Sequence, residues 1–366
     1  MKKYYKIIIV LAVIFSCTPK YIIDHNRPVK PMELPKDEAA HYNAQMEWWY
    51  YTGHLQADDG SLYGFEVSFF KRLLNEDRSP GCLFFIPAYW FFDVGMLAHF
   101  AVSDLNNRKF ASDEINSVFR CWEASPDKLS VGISGWTATS TNGAHIVKAD
   151  MDDYSIDLIL SPAKNPVFNG PGGIVAKSAS YSNYYYSYTN LNVTGKLTSG
   201  GKLKNVTGKA WMDHEYGTMK LDNSEVGWDW FSIQLEDNTE LMLYIILNDK
   251  NMATESGGTY VDARGNTRWL KLSDFKVKTL DTWFSKESGA HYPSHWEILV
   301  KPLGLVIEVK PVMENQELTH DPVTYWEGAV SVNGTSYGKP VKGKGYVELV
   351  GYAPGASFID LKMTAK

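Results

Sequence analysis

The stretch GKAWMDHEYG, residues 208–217, sets Asp213, His214 and Glu215 side by side, with Trp211 and Tyr216 around them. A carboxyl in an apolar, aromatic setting resists ionisation. It therefore keeps a proton at neutral pH and can pass it to a substrate. Ring faces nearby would steady a positive charge developing on that substrate. Asp213, Glu215 and His214 are thus the candidate catalytic residues. If 209–216 is a strand, Trp211, Asp213 and Glu215 share one face, and Met212, His214 and Tyr216 share the other. The three ionisable groups then cannot close on one metal ion, and HExxH spacing is absent. No metal and no cofactor are expected. The competing reading makes this segment a hydrogen-bonded corner where two domains meet.

Two other segments supply a pocket wall. EWWYY, 47–51, puts Glu47, Trp49 and Tyr51 on one strand face and Trp48 and Tyr50 on the opposite one. In SASYSNYYYSYTNL, 178–191, Tyr184, Tyr186 and Tyr188 share a face that Tyr181 and Tyr185 do not clearly join. Glu47, Trp49, Tyr51, Tyr184, Tyr186, Trp211, Trp228 and Trp230 are the expected lining of a pocket for a hydrophobic small molecule. Asp213 or Glu215 is placed as a lone carboxyl on the inner wall of a barrel. Glu47 reads as a rim carboxylate or as a buried partner of His214 or His54. No GxSxG elbow is present, and no glycine-rich phosphate loop precedes a helix.

The elements that must hold these residues are strands. Long stretches with helical periodicity are missing, and alternation and turns dominate. Hairpins are expected to bend at Asp59-Gly60, Asn142-Gly143, Gly200-Gly201, Asp237-Asn238, Gly265-Asn266 and Asn333-Gly334. Such density of hairpins points to an up-and-down barrel or a sandwich. Residues 76–98 read as an irregular loop over an opening, and 112–120 as a short helix. WWYYTGHL, from Trp48, and WDWFSIQL, from Trp228, match in pattern across half the chain, which suggests two related β-domains.

The chain has 366 residues, more than one core usually organises, so two domains are expected. A net charge of -6 without a basic stripe argues against nucleic acid as a partner. The first residues, MKKYYK, are basic, and IIIVLAVIF is too short to span a bilayer. These features, followed by Ser16 and Cys17, predict a signal peptide over 1–16 and lipidation at Cys17. An exported lipoprotein of a bacterial cell envelope is expected, anchored to the membrane by its lipid. Pro19, Pro28, Pro31 and Pro35 make 17–40 a tether. Domains are then expected over 41–218 and 222–366. Outside the cytoplasm Cys82 and Cys121 could pair, though spacing alone does not decide it.

The motifs EWWYYTGHL, YGFEVSFF, AWMDHEYG, GWDWFSIQL and YWEGAVSVNG resemble those of the AttH-like and carotenoid 1,2-hydratase family, from about residue 41 to 353. The resemblance implies an all-β chain of two lipocalin-like antiparallel barrels in tandem. It also maps the hydratase proton donor onto Asp213, with Trp211, Tyr184 and Tyr186 around it. The implied ligand is isoprenoid, lipid or polyene-like. Two functions follow as alternatives, a cofactor-free hydratase or isomerase working from Asp213, and a non-catalytic lipid carrier or structural envelope protein.

Overall fold

In a computed structural model, the described residues are 21–24, 30–74, 93–118, 121–177, 181–218, 225–250, 252–320 and 323–354. The chain forms β1 (Met46–Ala57), β2 (Leu62–Leu73), β3 (Val94–Asp104), β4 (Lys109–Ser117), β5 (Trp122–Ala124), β6 (Ser130–Ile133), β7 (Trp136–Thr141), β8 (Ala144–Asp150), β9 (Tyr154–Pro162), β10 (Val167–Phe168), β11 (Ile174–Ala176), β12 (Ser182–Ser199) and β13 (Lys202–Gly217). A second set follows as β14 (Glu225–Leu235), β15 (Glu240–Asn248), β16 (Ala253–Val261), β17 (Thr267–Lys271), β18 (Phe275–Phe284), β19 (His291–Val300), β20 (Leu305–Pro311), β21 (Glu317–Thr319), β22 (Thr324–Ser336) and β23 (Lys339–Val350).

Every pairing is antiparallel, and the strands make two sheets that each curl into a lipocalin-like barrel. The first runs β4-β3-β2-β1-β13-β12-β9-β8-β7-β6-β5, and the second β17-β16-β15-β14-β23-β22-β20-β19-β18. The half-chain repeat is visible in this order. β1 opens the first barrel and pairs with β2 and with the closing strand β13, and β14 pairs likewise with β15 and β23. Alternation decides what each strand buries. Trp49, Tyr51, Phe65 and Phe69 fill the first barrel, and Phe231, Ile233, Trp296 and Trp326 fill the second. The opposite faces of β1, β13, β14 and β15 bury Tyr50, Trp211, Trp230 and Tyr244 where the barrels meet.

Most expected bends fall where the turn chemistry put them, with left-handed backbone at Gly60, Asn142-Gly143, Gly200-Gly201, Asn238 and Gly265. The Asn333-Gly334 bend does not occur. β22 runs straight through it, and the chain turns at Tyr337-Gly338. Gly334 serves close approach instead, because a Cβ there would sit 2.1 Å from the Val306 carbonyl oxygen.

The helix expected at 112–120 is also absent. Residues 109–117 form β4 because the fully buried β3 needs a partner for its outer N–H and C=O groups. The loop expected over 76–98 stops short, since 94–98 belong to β3, and residues 75–92 lie outside the described residues. The tether expected to reach residue 40 ends earlier. Met32 and Ala40 join the first core, and Glu38 accepts a hydrogen bond from Tyr188 at 2.6 Å. Prolines exclude regular structure there, but they do not stop the apolar residues between them from packing. Cys17 and Cys82 lie outside the described residues, and Cys121 is exposed.

Candidate functional site

Residues 209–216 are indeed extended, and β13 is gripped on both sides. Asp213 faces Tyr50 of β1 and Ser187 of β12. Its odd-numbered side chains point out of the first barrel toward the second. There, Trp48, Tyr50, Phe70, Trp228, Trp230, Tyr244, Ile246 and Tyr325 wall a cavity. Asp213, Glu215, Lys177, Tyr185 and Glu348 are among its polar groups. The inner barrel wall expected for Asp213 is therefore corrected to a cavity between the barrels. Trp211, Asp213 and Glu215 do share a face, but that face meets the second sheet.

Asp213 is held by three donors. Ser187 Oγ and Trp211 Nε1 reach Oδ1 at 2.5 and 2.7 Å, and the Tyr185 hydroxyl reaches Oδ2 at 2.6 Å. The same tyrosine oxygen accepts the Trp230 indole N–H at 2.9 Å, so a hydrogen-bonded line runs from the second barrel into the carboxyl. Burial pushes Asp213 up to about 7, and its three donors pull against that rise. Glu348 is pushed up to about 8, again by burial, with Trp228 opposing. Burial also raises Glu215, but the Lys177 ammonium and the Asn183 amide, each at 2.8 Å, favour its charged form. Lys177 in turn lies 5.2 Å from the Tyr244 ring centroid and 5.6 Å from that of Tyr185. The cavity thus offers two carboxyls that hold protons near neutral pH and one ion pair that fixes a charge.

The remaining expected residues divide. Trp228 and Trp230 line this cavity, and Trp211 backs it. Glu47, Trp49, Tyr51, Tyr186 and His214 lie on the other side of the same sheet, inside the first barrel, and do not meet Asp213. His214 stacks 4.8 Å from Trp49, its Nε2 is 2.8 Å from Glu47 Oε1, and its Nδ1 is 3.2 Å from the Tyr186 hydroxyl. Tyr184 stands at the barrel's mouth and donates to the Lys30 carbonyl at 2.9 Å. A pocket with both sets of residues would need them on one face of β1 and β13, which alternation forbids.

Glu47 is the buried partner of His214, not a rim carboxylate. Burial alone would raise it, yet Lys71, His214 and His41 hold it well below the carboxylate range. Among the described residues, His41, Glu47 and His214 are the one triple near enough to share a metal ion. Lys71 Nζ is already 3.1 Å from Glu47 and fully buried. A divalent ion would add two positive charges beside an ammonium that has neutralised the carboxylate, at a steep desolvation cost. These three residues satisfy each other by hydrogen bonds instead.

Sequence reasoning missed Tyr185, Lys177 and Glu348. Tyr185 was detectable, because a strand pairing Ser187 with Asp213 must put Tyr185 on the same face as both. Lys177 and Glu348 come from distant segments and carry no local signal.

The family model described as AttH-like matches residues 25–352. The chain belongs to the AttH-like family. This AttH-like chain is 29% identical to a solved Nitrosomonas europaea structure assigned to AttH, with a TM-score of 0.78 over 89% of the chain and 98% of that structure. It is also 25% identical over 229 residues to the kievitone hydratase of Fusarium solani subsp. phaseoli. That match takes in 60% of the chain and spans 63% of the relative's length. The crystal structure of kievitone hydratase from Nectria haematococca has a TM-score of 0.69 over 91% of the chain and 96% of that structure; at 15% identity this is a likeness of fold.

Proposed function

We propose that this protein binds a hydrophobic small molecule between its barrels and hydrates or isomerises it without a cofactor, with Asp213 as the acid. The observation that carries the reading is a buried carboxyl, raised to about 7, on the wall of an aromatic cavity. In the reaction, the Asp213 proton adds to one alkene carbon and leaves a cation on its neighbour. The faces of Trp48, Trp228 and Trp230 stabilise that cation. A water then bonds to it and returns a proton to the carboxylate, so the net change is addition of water. In an isomerisation, a different C–H proton returns instead. The likeness to kievitone hydratase supports the hydratase form. The substrate class is isoprenoid, lipid or polyene-like.

The alternative is a carrier with no chemistry, and the protein donors on both Asp213 oxygens, two on Oδ1 and one on Oδ2, favour it. Mass spectrometry of the apolar molecule that co-purifies with the protein would name the ligand. Turnover of that molecule is expected to fall at least a hundredfold in Asp213→Asn while its affinity stays within a few fold. Equal turnover by the variant, or none by the parent, would leave only the carrier. We also propose export and a lipid anchor at Cys17, which metabolic labelling with a clickable fatty acid tests by loss of label in Cys17→Ser.

A further inference from the structure

β14 and β15 form a wall with two faces. Trp228, Trp230, Tyr244 and Ile246 look into the cavity between the barrels. The residues between them, Asp229, Ile245 and Leu247, look the other way and line a separate open chamber at the mouth of the second barrel. Asp229 is directly paired with Ile245 across the wall. Phe275, Val277 and Pro293 continue the apolar lining, and Leu272, 39% exposed, stands on its lip.

Asp229 is 7% exposed, deep among these apolar side chains. A carboxyl does not settle in such surroundings without a polar partner. Tyr352 donates to Oδ1 at 2.8 Å, and that is the one protein donor the described residues give it. Oδ2 is left for something that enters the chamber. Buried Asp213, by contrast, has both oxygens occupied by the protein. Burial raises Asp229 to about 7, so at mildly acid pH it presents both a donor and an acceptor. That suits a hydroxyl, which also does both. Lys276 and His291 on the chamber wall leave the opening polar.

We infer that the mouth of the second barrel is a second binding site, taking an apolar molecule whose hydroxyl hydrogen-bonds to Asp229. It is independent of the cavity between the barrels and stands whether or not that cavity is catalytic. The two chambers can be read apart because Ile245 and Ile246 are neighbours on opposite faces. With isoleucine methyl groups labelled for NMR, 1-decanol at pH 6 is the probe. The Ile245 methyl is expected to shift as it is added. Asp229→Leu, which keeps the branched shape but cannot hydrogen-bond, is expected to weaken that response at least tenfold, while any Ile246 response is unchanged. Ala253→Trp, a change at an exposed position on the chamber wall, is expected to abolish it by filling the opening. The inference is overturned if Ile245 stays unmoved while Ile246 shifts. It is equally overturned if Asp229→Leu, still folded by its melting temperature, responds as the parent does.

Discussion

Asp213 and Asp229 each hold a proton to about pH 7 in the folded chain. In the unfolded chain a free aspartate ionises near pH 4, so between these limits the native state binds more protons. Stability must then fall as pH rises through this window and level off above it. Each carboxyl accounts for roughly 4 kcal/mol of that fall. Urea melts at pH 4.5 and pH 7.5 check this, since Asp213→Asn should lose part of the slope and gain on the parent at the higher pH. Activity that needs the protonated acid should decline above about pH 7. Tyr185→Phe removes one of three donors to the Asp213 carboxylate, so the alkaline limb of a pH-rate profile should move up. An unmoved limb would mean that Tyr185 packs without tuning the acid.

β13 can place Asp213 only because it lies tightly against β1. Gly208 allows that approach, for a Cβ there would fall 2.0 Å from the His54 carbonyl oxygen. Gly208→Ala is expected to cost about 1–3 kcal/mol, with a matching drop in melting temperature and weaker ligand binding. At this scale much of the fold was legible. Two-residue periodicity marked the strands, and Gly or Asn marked the turns that needed left-handed backbone. The site was legible in part, because alternation along the strand by itself separates Asp213 from His214. Alternation could not say which face looks inward. That depends on whether β13 meets a second barrel, which no local pattern of β13 records. The helix expected at 112–120 failed for a similar reason, because the need to pair β3 overrode weak local preference.

The two barrels are joined by buried polar contacts as well as by apolar area. Lys164 on the first reaches Glu240 at 2.8 Å and the Asn238 and Asp262 carbonyls at 2.6 and 2.9 Å on the second. Gln234 returns to the Thr189 carbonyl at 2.7 Å, His54 to the Gly345 carbonyl at 2.8 Å, and Ser103 to Gln316 at 2.6 Å. Tyr50 donates to the buried Glu327 beside them. Contacts of this kind cost heavily if one side alone unfolds. Calorimetry should therefore show one transition, with calorimetric and van't Hoff enthalpies equal, instead of one per barrel. The wall shared by the two chambers has a consequence of its own. A saturation scan along residues 228–231 and 244–247 should produce a striped phenotype, in which odd and even positions answer to different ligands. Neighbours in the gene would then be free to adapt to separate tasks, provided that no insertion or deletion shifts the strand by one residue and exchanges the two rooms' furnishings.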